Sequence, residues 1–432
     1  MNLRVEQIPD SYIVDMQIDI SADGDSSALA LEIDAEGTGG YLKAAELSFS
    51  NGQAGLRTNI EFTKPGNYRT GIRLMSSNRV ESQVFSDTKV TMKRPVAAGA
   101  FSGRAFTRPG VILKWSEVPY AKSYLLQISK TKAFTEILFQ TETKETSYTA
   151  VDFLVSENYY CVRIKPLNPD IPSVFSEYYT FAITDPPMAH IPGGEFLMGK
   201  PDKEIGTKDE EPMHKVRLDP YMIDIHEVTV AGYCLFLNCQ KDSAHYRKEM
   251  ADSKTCGILY NDIEYYPVKG REMYPVVYVS YHNARAYAQW RGLSLPTEAE
   301  WELAAKGFEY RNYTFDVEIL FKAPIGESNK KTVRVDSFPE GMSPFGLYHV
   351  CGNVWEWCLD YYSREYYKQN NINYDNPQGP VSGRTRILRG GAVGYEYFKS
   401  RLTYRDHDYP DSFSKYVGFR CAGTSPAGQN SR

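Results

Sequence analysis

The sequence of 432 residues is poor in cysteine, has no CxxC pair and has no long apolar run. Seven cysteines are too few to form a disulfide framework in a chain of this length, and the missing CxxC pair argues against a structural zinc site. No apolar run approaches the roughly 18 residues that a membrane-spanning helix needs. These absences predict a chain that folds on hydrophobic cores and has no transmembrane segment.

Clusters of basic residues and an export signal are also missing. The formal net charge is −5 and no block of lysine and arginine stands out, so nucleic-acid binding has no support. The first residues, MNLRVEQIPDSY, lack the apolar core of a signal peptide. The chain is therefore either cytosolic, or its export signal is missing from this sequence.

Tyrosine is the residue that the sequence has in excess, with 33 copies. Many of them stand outside any pattern that would place them in a core. Tyrosine combines a large contact area with a polar tip, which suits it to binding surfaces. The composition therefore favours a protein that recognises a ligand.

The first part of the chain, up to residue 96, alternates polar and apolar residues in short segments separated by turn-rich stretches. The segments are YIVDMQIDI, ALALEIDA, LRTNIEF, YRTGIRLM and DTKVTMK. Strands at this spacing predict an immunoglobulin-like β-sandwich over residues 1–96. The next stretch, 102–184, resembles a fibronectin type III module, because Trp115, Tyr124 and Tyr159 stand where such a module has core aromatic residues and its tyrosine corner.

Residues 188–423 mix helix signals with short strands, which predicts an α+β domain, followed by a flexible tail over 424–432. Thr229 and Ser280 are placed as N-caps of two helices. In LPTEAEWELAAKG, Thr297 and Glu300 have the spacing of a capping box, and Gly307 ends the helix.

Several motifs follow one another in this domain: IPGGEFLMG, LPTEAEWELAAKG, FGLYHVCGNVWEWCLDYY, RILRGGA and VGFRCA. Together they resemble the formylglycine-generating enzyme family, also called the sulfatase-modifying factor family. The resemblance implies the elaborated C-type-lectin-like fold of that family. The whole chain is then multidomain, with two all-β sandwiches before an α+β lectin-like domain.

The resemblance also locates the family's copper site, which this sequence has lost. Active members bind copper(I) with two cysteines that follow the paired glycines, and these positions are Tyr395 and Ser400 here. The serine that follows the glycines in the family is Ala392. A phenol and a hydroxyl cannot replace two soft thiolates. We therefore expect no bound copper and no formylglycine formation, and we assign no catalytic residue.

The family also places a calcium site at the motif GNVWEW. Transferred to this sequence, the resemblance implies that His349, Gly352 and Val354 offer backbone carbonyls and that Glu356 offers its side chain. Oxygen ligands of this kind suit a hard cation. We expect no other cofactor.

The segment after the paired glycines is rich in tyrosine, aspartate and serine, and we interpret it as a ligand-binding surface. Such residues on well-held loops resemble an antibody combining site. The segment is also similar to the variable region of diversity-generating retroelement proteins. The ligand, a protein or a glycan, is predicted to contact Val393, Tyr395, Tyr397, Ser400, Tyr404, Asp406, His407, Asp408, Tyr409, Asp411 and Phe413.

Two other functions stay open at this point. Asp406, His407 and Asp408 could form an acid–base cluster of an enzyme with altered chemistry, although neighbouring side chains of an extended segment point to opposite faces. The chain could also be a structural protein of an envelope complex. The two predicted sandwiches before the lectin-like domain would act as a stalk, which favours a bacterial cell-surface or extracellular location.

Overall fold

The computed structural model describes side chains over residues 111–150, 154, 158–240, 256–315, 324–326, 330–369 and 374–424. Before residue 111 it describes the backbone of eight strands and a few single positions. Contacts divide the chain into two compact units. The first comprises 1–102, 110–153 and 160–179, and the second comprises 103–109, 154–159 and 180–432. The two predicted N-terminal domains lie mostly in the first unit, so a boundary between them stays a prediction.

Seven strands begin the first unit: β1 (Asn2–Gln7), β2 (Ile13–Ser21), β3 (Leu29–Asp34), β4 (Leu42–Leu47), β5 (Gln53–Glu61), β6 (Gly66–Ser76) and β7 (Arg79–Val90). They form one sheet in the order β1-β2-β5 and another in the order β4-β3-β6-β7, with antiparallel neighbours. The five segments predicted from alternation overlap β2, β3, β5, β6 and β7. The β-rich character of this region is therefore as predicted.

Seven further strands follow: β8 (Arg104–Phe106), β9 (Val111–Lys114), β10 (Ser123–Ser129), β11 (Ile137–Thr143), β12 (Ser147–Ala150), β13 (Asn158–Leu167) and β14 (Tyr179–Ile183). Strand β10 pairs with β11 and β13, and β9 pairs with β12, all antiparallel. Trp115 and Tyr124 are buried with their rings edge to face at 5.7 Å. The Tyr124 hydroxyl accepts a hydrogen bond from the backbone N–H of Val118 at 2.9 Å.

Tyr159 packs less deeply than predicted. It is half-buried, and its hydroxyl donates to the carboxylate of Glu264, whereas the next residue, Tyr160, is fully buried. Successive side chains of a strand point to opposite faces, so only one of the two tyrosines can face the core. Core packing is confirmed for Trp115 and Tyr124, which are buried, whereas Tyr159 is only partly buried and packs against the apolar cluster of the second unit.

The second unit contains short strands: β15 (Met188–Ile191), β16 (Gly194–Met198), β17 (His214–Leu218), β18 (Tyr221–Asp224), β19 (Ile258–Tyr260), β20 (Tyr265–Pro267), β21 (Trp355–Tyr361), β22 (Arg386–Arg389), β23 (Asp406–Asp408), β24 (Val417–Gly418) and β25 (Ala422–Thr424). They form a sheet in the order β23-β22-β21-β24, a sheet in the order β15-β18-β25, and the hairpins β16-β17 and β19-β20. Loops make up much of the rest, as an elaborated lectin-like domain predicts.

The unit's helices are α1 (Val230–Cys239), α2 (Tyr281–Trp290) and α3 (Glu298–Lys306), and their caps confirm the sequence analysis. The side chains of Thr229 and Ser280 accept hydrogen bonds from N–H groups of the first turns. Thr297 and Glu300 form the capping box of α3, and Gly307 ends that helix at a φ of 77°. Caps of this kind contribute about 1 kcal/mol each. None of the helices in the described ranges is long and apolar enough to cross a bilayer.

The sheet β23-β22-β21-β24 has a buried apolar cluster on each face. Alternation along β21 puts Trp355 and Trp357 in one cluster and Cys358 in the other, and along β22 it separates Leu388 from Ile387 in the same way. Trp301 of α3 belongs to the second cluster. Strand β23 therefore forms the edge of a sheet whose two faces are both covered by buried apolar clusters.

Candidate binding surface

The segment of interest begins at a glycine pair that the backbone requires. Gly390 and Gly391 have φ angles of 93° and 77°, in the left-handed region that favours glycine. A Cβ atom on Gly391 would lie 2.3 Å from Oγ of Ser400 and 2.7 Å from its Cα. The chain therefore folds back onto itself here, and it brings Tyr395 and Ser400, the positions at which the family resemblance implies copper ligands, into one loop.

The two positions hold side chains of different character. Ser400 is buried, and its Oγ has no hydrogen-bond partner among the residues that the structure describes. Tyr395 is half-buried, with its ring edge to face with Trp355 at 5.8 Å and with Tyr416 at 5.3 Å. All seven cysteines lie in the described ranges, and each is buried. The loop from Gly390 to Ser400 itself contains no cysteine.

Three buried arginines attach the segment to the interior of the second unit. Arg405 donates from Nε and Nη2 to the two carboxylate oxygens of Glu298, at 2.7 and 2.9 Å. Arg401 makes a similar two-point contact with Glu210, at 2.9 and 2.7 Å. Such forked contacts fix both the position and the orientation of the chain.

Arg389 of β22 completes this support. Its Nη2 donates to Glu302 at 2.5 Å and to the carbonyl of Leu402 at 2.7 Å, and its Nη1 donates to the next two carbonyls. Burial alone would raise the pKa of Glu302, but the charges of Lys306 and Arg389 outweigh it and lower the value to about 2. The carboxylate is therefore charged throughout the physiological pH range. We call these contacts the ionic support.

Nine of the predicted ligand-binding residues are at least partly accessible to solvent. They are Tyr395, Tyr397, Tyr404, Asp406, His407, Asp408, Tyr409, Asp411 and Phe413. We call them the display residues. The most accessible aromatic rings are Tyr397, Tyr409 and Phe413, which are 58%, 61% and 45% exposed. Val393 and Ser400 are fully buried and offer no surface in this conformation, so we remove both from the predicted set.

Some display residues form a cluster of aromatic rings and acids. Trp355 lies beneath Tyr395 and Tyr404, with ring centroids 5.8 and 6.0 Å away. Burial and the nearby charge of Asp406 raise the pKa of Tyr404 to about 12, and the same causes raise the pKa of Tyr395. Both phenols are therefore protonated at neutral pH and can donate hydrogen bonds.

His407 lies apart from this cluster. Strand β23 alternates, so its side chain points away from those of Asp406 and Asp408 and stacks on Tyr362 with ring centroids 3.9 Å apart. Asp406 and Asp408 each accept a hydrogen bond from the backbone N–H of the residue that follows. This geometry gives the three residues no shared point at which a proton could be transferred.

The calcium residues predicted at GNVWEW do not fit a calcium ion. Glu356 is buried, its Oε1 accepts from Arg420 at 2.6 Å, and its Oε2 accepts from Arg420 and from Trp301 Nε1, at 2.6 and 2.8 Å. The guanidinium thus balances the charge that calcium would need. Across the described ranges no group of three or more histidine, cysteine or acidic residues is arranged to hold a metal.

Sequence reasoning missed the ionic support and the partners of the display residues. Glu298, Glu302 and Lys306 are spaced four residues apart in α3, so a common face was readable. Their burial was not, because charged side chains at this spacing most often face water. No local sequence signal pairs His407 with Tyr362 or Asp411 with His282. In the second pair, Nε2 of His282 lies 3.6 Å from Oδ1 of Asp411.

The second half of this chain is similar to proteins of a known family. The family described as the sulfatase-modifying factor enzyme 1-like domain matches residues 175–425. A serine/threonine-protein kinase pkn1 of Chlamydia pneumoniae is 35% identical over 245 residues, which cover 54% of this chain and 37% of that protein. The chain thus spans little more than a third of this relative. A formylglycine-generating enzyme of Streptomyces coelicolor is 34% identical over 279 residues, which cover 54% of this chain and 87% of that protein.

Two solved structures are also similar. PvdO from Pseudomonas aeruginosa is 28% identical with a TM-score of 0.43, and the match covers 56% of this chain and 95% of that one. Treponema denticola variable protein 1 is 23% identical with a TM-score of 0.41, and the match covers 58% and 96%. Since the matched family covers more than half of the sequence and the bacterial enzyme is matched over most of its length, this chain belongs to the sulfatase-modifying factor enzyme 1-like family.

Proposed function

We propose that this chain is a non-catalytic member of its family that binds a protein or glycan ligand through its display residues. The observation that carries the proposal is the ionic support. Arg389, Arg401 and Arg405 hold the segment in place through buried hydrogen bonds and ion pairs. Tyrosine, aspartate and phenylalanine side chains of the same segment are accessible to solvent. A surface that is already ordered loses little conformational entropy when it binds.

The absence of the copper ligands supports the same proposal. Tyr395 packs against aromatic rings and Ser400 is enclosed, so neither side chain offers a soft donor where active relatives have thiolates. No copper and no calcium is required for the proposed binding. A cell-surface or extracellular location, with the N-terminal sandwiches as a stalk, is part of the proposal.

The chemistry of the display residues indicates what kind of contact they make. Tyrosine rings give large contact area at low entropic cost, and aspartates accept hydrogen bonds from sugar hydroxyls or basic side chains. Diversification of this segment by a retroelement would fit, provided that the buried residues stay constant. A neighbouring reverse transcriptase gene with an adenine-differing copy of the segment would test that part.

A triple alanine variant of Tyr397, Tyr409 and Phe413 tests the binding role. The control is a double alanine variant of Tyr260 and Tyr266, which are 38% and 39% exposed on the β19-β20 hairpin of the same unit. The wild type, the triple variant and the control are screened on glycan arrays and against displayed protein libraries. We expect a ligand whose affinity for the triple variant falls by about tenfold or more, with the control unchanged.

Two outcomes would contradict the proposal. Equal binding of every ligand by the triple variant and the wild type would favour the structural envelope-complex function, whose contacts lie elsewhere. Copper-dependent oxygen consumption with turnover of a cysteine-containing peptide would establish an enzyme instead.

A further inference from the structure

Tyr278 lies outside the tyrosine-rich segment, in the stretch that leads into α2, and its backbone is unusual. Its φ of 61° falls in the left-handed region, which a bulky residue rarely adopts and which glycine or asparagine adopts at a lower cost. Strained backbone of this kind is concentrated at ligand-binding sites and other functional sites. The turn by itself therefore gives no reason for a tyrosine at this position.

The stretch around Tyr278 lies beside the display residues. The N–H of Tyr278 donates to the carbonyl of Ser414 at 2.9 Å, and the N–H of Tyr281 donates to the carbonyl of Pro410 at 3.1 Å. On the first turn of α2, Nε2 of His282 lies near Oδ1 of Asp411, which is a display residue. These contacts hold residues 278–282 against residues 410–414.

The ring of Tyr278 lies in the same surroundings as three tyrosines of the tyrosine-rich segment. It is half-buried at the margin of an apolar cluster, as are the rings of Tyr395, Tyr404 and Tyr416. The pKa of Lys415 is raised, mainly by a hydrogen bond to Tyr416, and the nearby phenols of Tyr278 and Tyr395 contribute. Tyr278 therefore belongs in space to a group of tyrosines from which it is remote in sequence.

The hydroxyl of Tyr278 is available to a ligand. In the described ranges it makes no hydrogen bond, and its oxygen is not one of the buried polar atoms that lack a partner. The oxygen is therefore open to solvent, where it can donate one hydrogen bond and accept others. A half-buried ring with an open hydroxyl offers apolar contact and a polar tip at one point.

We propose that Tyr278 is a ligand-contact residue of the binding surface and that its hydroxyl donates a hydrogen bond to an acceptor oxygen of the bound ligand. The inference rests on the proposed function and extends its surface beyond the tyrosine-rich segment. The surface is then composite, because the segment supplies the display residues and the approach to α2 supplies one further tyrosine on a strained turn.

Four variants of the full chain test this contact. Tyr278→Phe removes the hydroxyl and keeps the ring and the backbone, and Tyr278→Gly removes the whole side chain. Tyr120→Phe and Tyr120→Gly are the matched controls, because Tyr120 of the first unit has a φ of 71° and is 49% exposed. The probes are the array glycans and library proteins that bind the wild type and fail to bind the triple alanine variant.

We expect Tyr278→Phe to weaken the binding of these probes by about threefold or more, because one hydrogen bond to the ligand is lost. Tyr278→Gly should weaken it by about tenfold or more, since the ring contact is lost as well. Both Tyr120 variants should bind as the wild type does. The thermal unfolding midpoint of Tyr278→Phe should match that of the wild type, because the hydroxyl has no partner among the described residues.

The outcomes separate this inference from the proposed function. Unchanged binding of the probes by Tyr278→Phe would overturn the inference, whatever Tyr278→Gly shows, and would leave the proposed function intact. A clearly lower unfolding midpoint for Tyr278→Phe would also overturn it, because the hydroxyl would then serve the fold. If the triple alanine variant keeps every probe, the proposed function itself fails, and this inference fails with it.

Discussion

Arg405 and Glu298 form a two-point ion pair in the interior of the second unit, with N–O distances of 2.7 and 2.9 Å and both side chains almost completely buried. The pair joins the display segment to the first turn of α3. Burial would lower the pKa of Arg405, but the charge of Glu298 outweighs it and raises the value. Arg405 therefore stays charged throughout the physiological pH range.

Removing one partner of this pair should destabilise the domain strongly. We expect Arg405→Met to lower the free energy of unfolding by about 3–5 kcal/mol, because Glu298 keeps a buried charge without its main partner. Urea unfolding followed by tryptophan fluorescence measures this, since four of the five tryptophans lie within 175–425. Lys368→Met, which breaks the exposed pair with Glu365, is the control and should cost less than about 1 kcal/mol. Similar losses for both variants would show that burial of the Arg405 pair is unimportant.

Substitution of Gly391 should be far more harmful than substitution of another glycine with similar backbone angles. A Cβ on Gly391 would overlap Ser400, whereas a Cβ on Gly270, at a φ of 83°, meets nothing within 4 Å. We expect Gly391→Ala to cost about 3–5 kcal/mol, from overpacking added to the left-handed backbone, and Gly270→Ala to cost about 1–2 kcal/mol. Thermal unfolding compares the two, and equal midpoints would contradict the close contact at Ser400.

Asp360 should make the domain less stable as the pH rises. Burial and the charge of Glu298 raise the pKa of Asp360 to about 8, well above its ordinary value of 3.8. The folded state therefore binds a proton that the unfolded state has lost, and stability decreases with pH between those two values. The slope should approach about 1.4 kcal/mol per pH unit.

Asp360→Asn tests this dependence, because its amide oxygen can still accept from the N–H of Glu298 as the carboxylate does at 2.8 Å. Urea unfolding of both proteins at about pH 5, 6 and 7 should give a falling free energy for the wild type and a flatter profile for the variant. Parallel profiles would mean that Asp360 ionises in the folded protein as readily as in the unfolded chain.

Calcium should leave the stability of the protein unchanged. The Glu356 carboxylate already receives three hydrogen bonds, two of them from Arg420. We expect the unfolding temperature in millimolar calcium to match that in a chelator, because a ligand stabilises only the state that binds it. A reproducible rise with calcium would instead mean that the ion displaces Arg420 or binds carbonyls alone.

The features that the sequence determined by itself are those that local hydrogen bonding dictates. The capping box of Thr297 and Glu300 and the cap of Thr229 involve groups three residues apart, so spacing alone identified them. The ordered motifs located the family domain in the same way, and the lack of a cysteine at positions 395 and 400 followed directly from the residue types.

Tertiary structure alone decided which of the predicted site residues a ligand can reach. Val393 and Ser400 lie in the same tyrosine-rich segment as Tyr397 and Tyr409, yet the first two are enclosed and the last two are exposed. Glu356 has the residue type of a calcium ligand, but Arg420, 64 residues away in sequence, takes its charge. Burial and the pairing of distant charges arise only when separate segments come together, so no local spacing contains them.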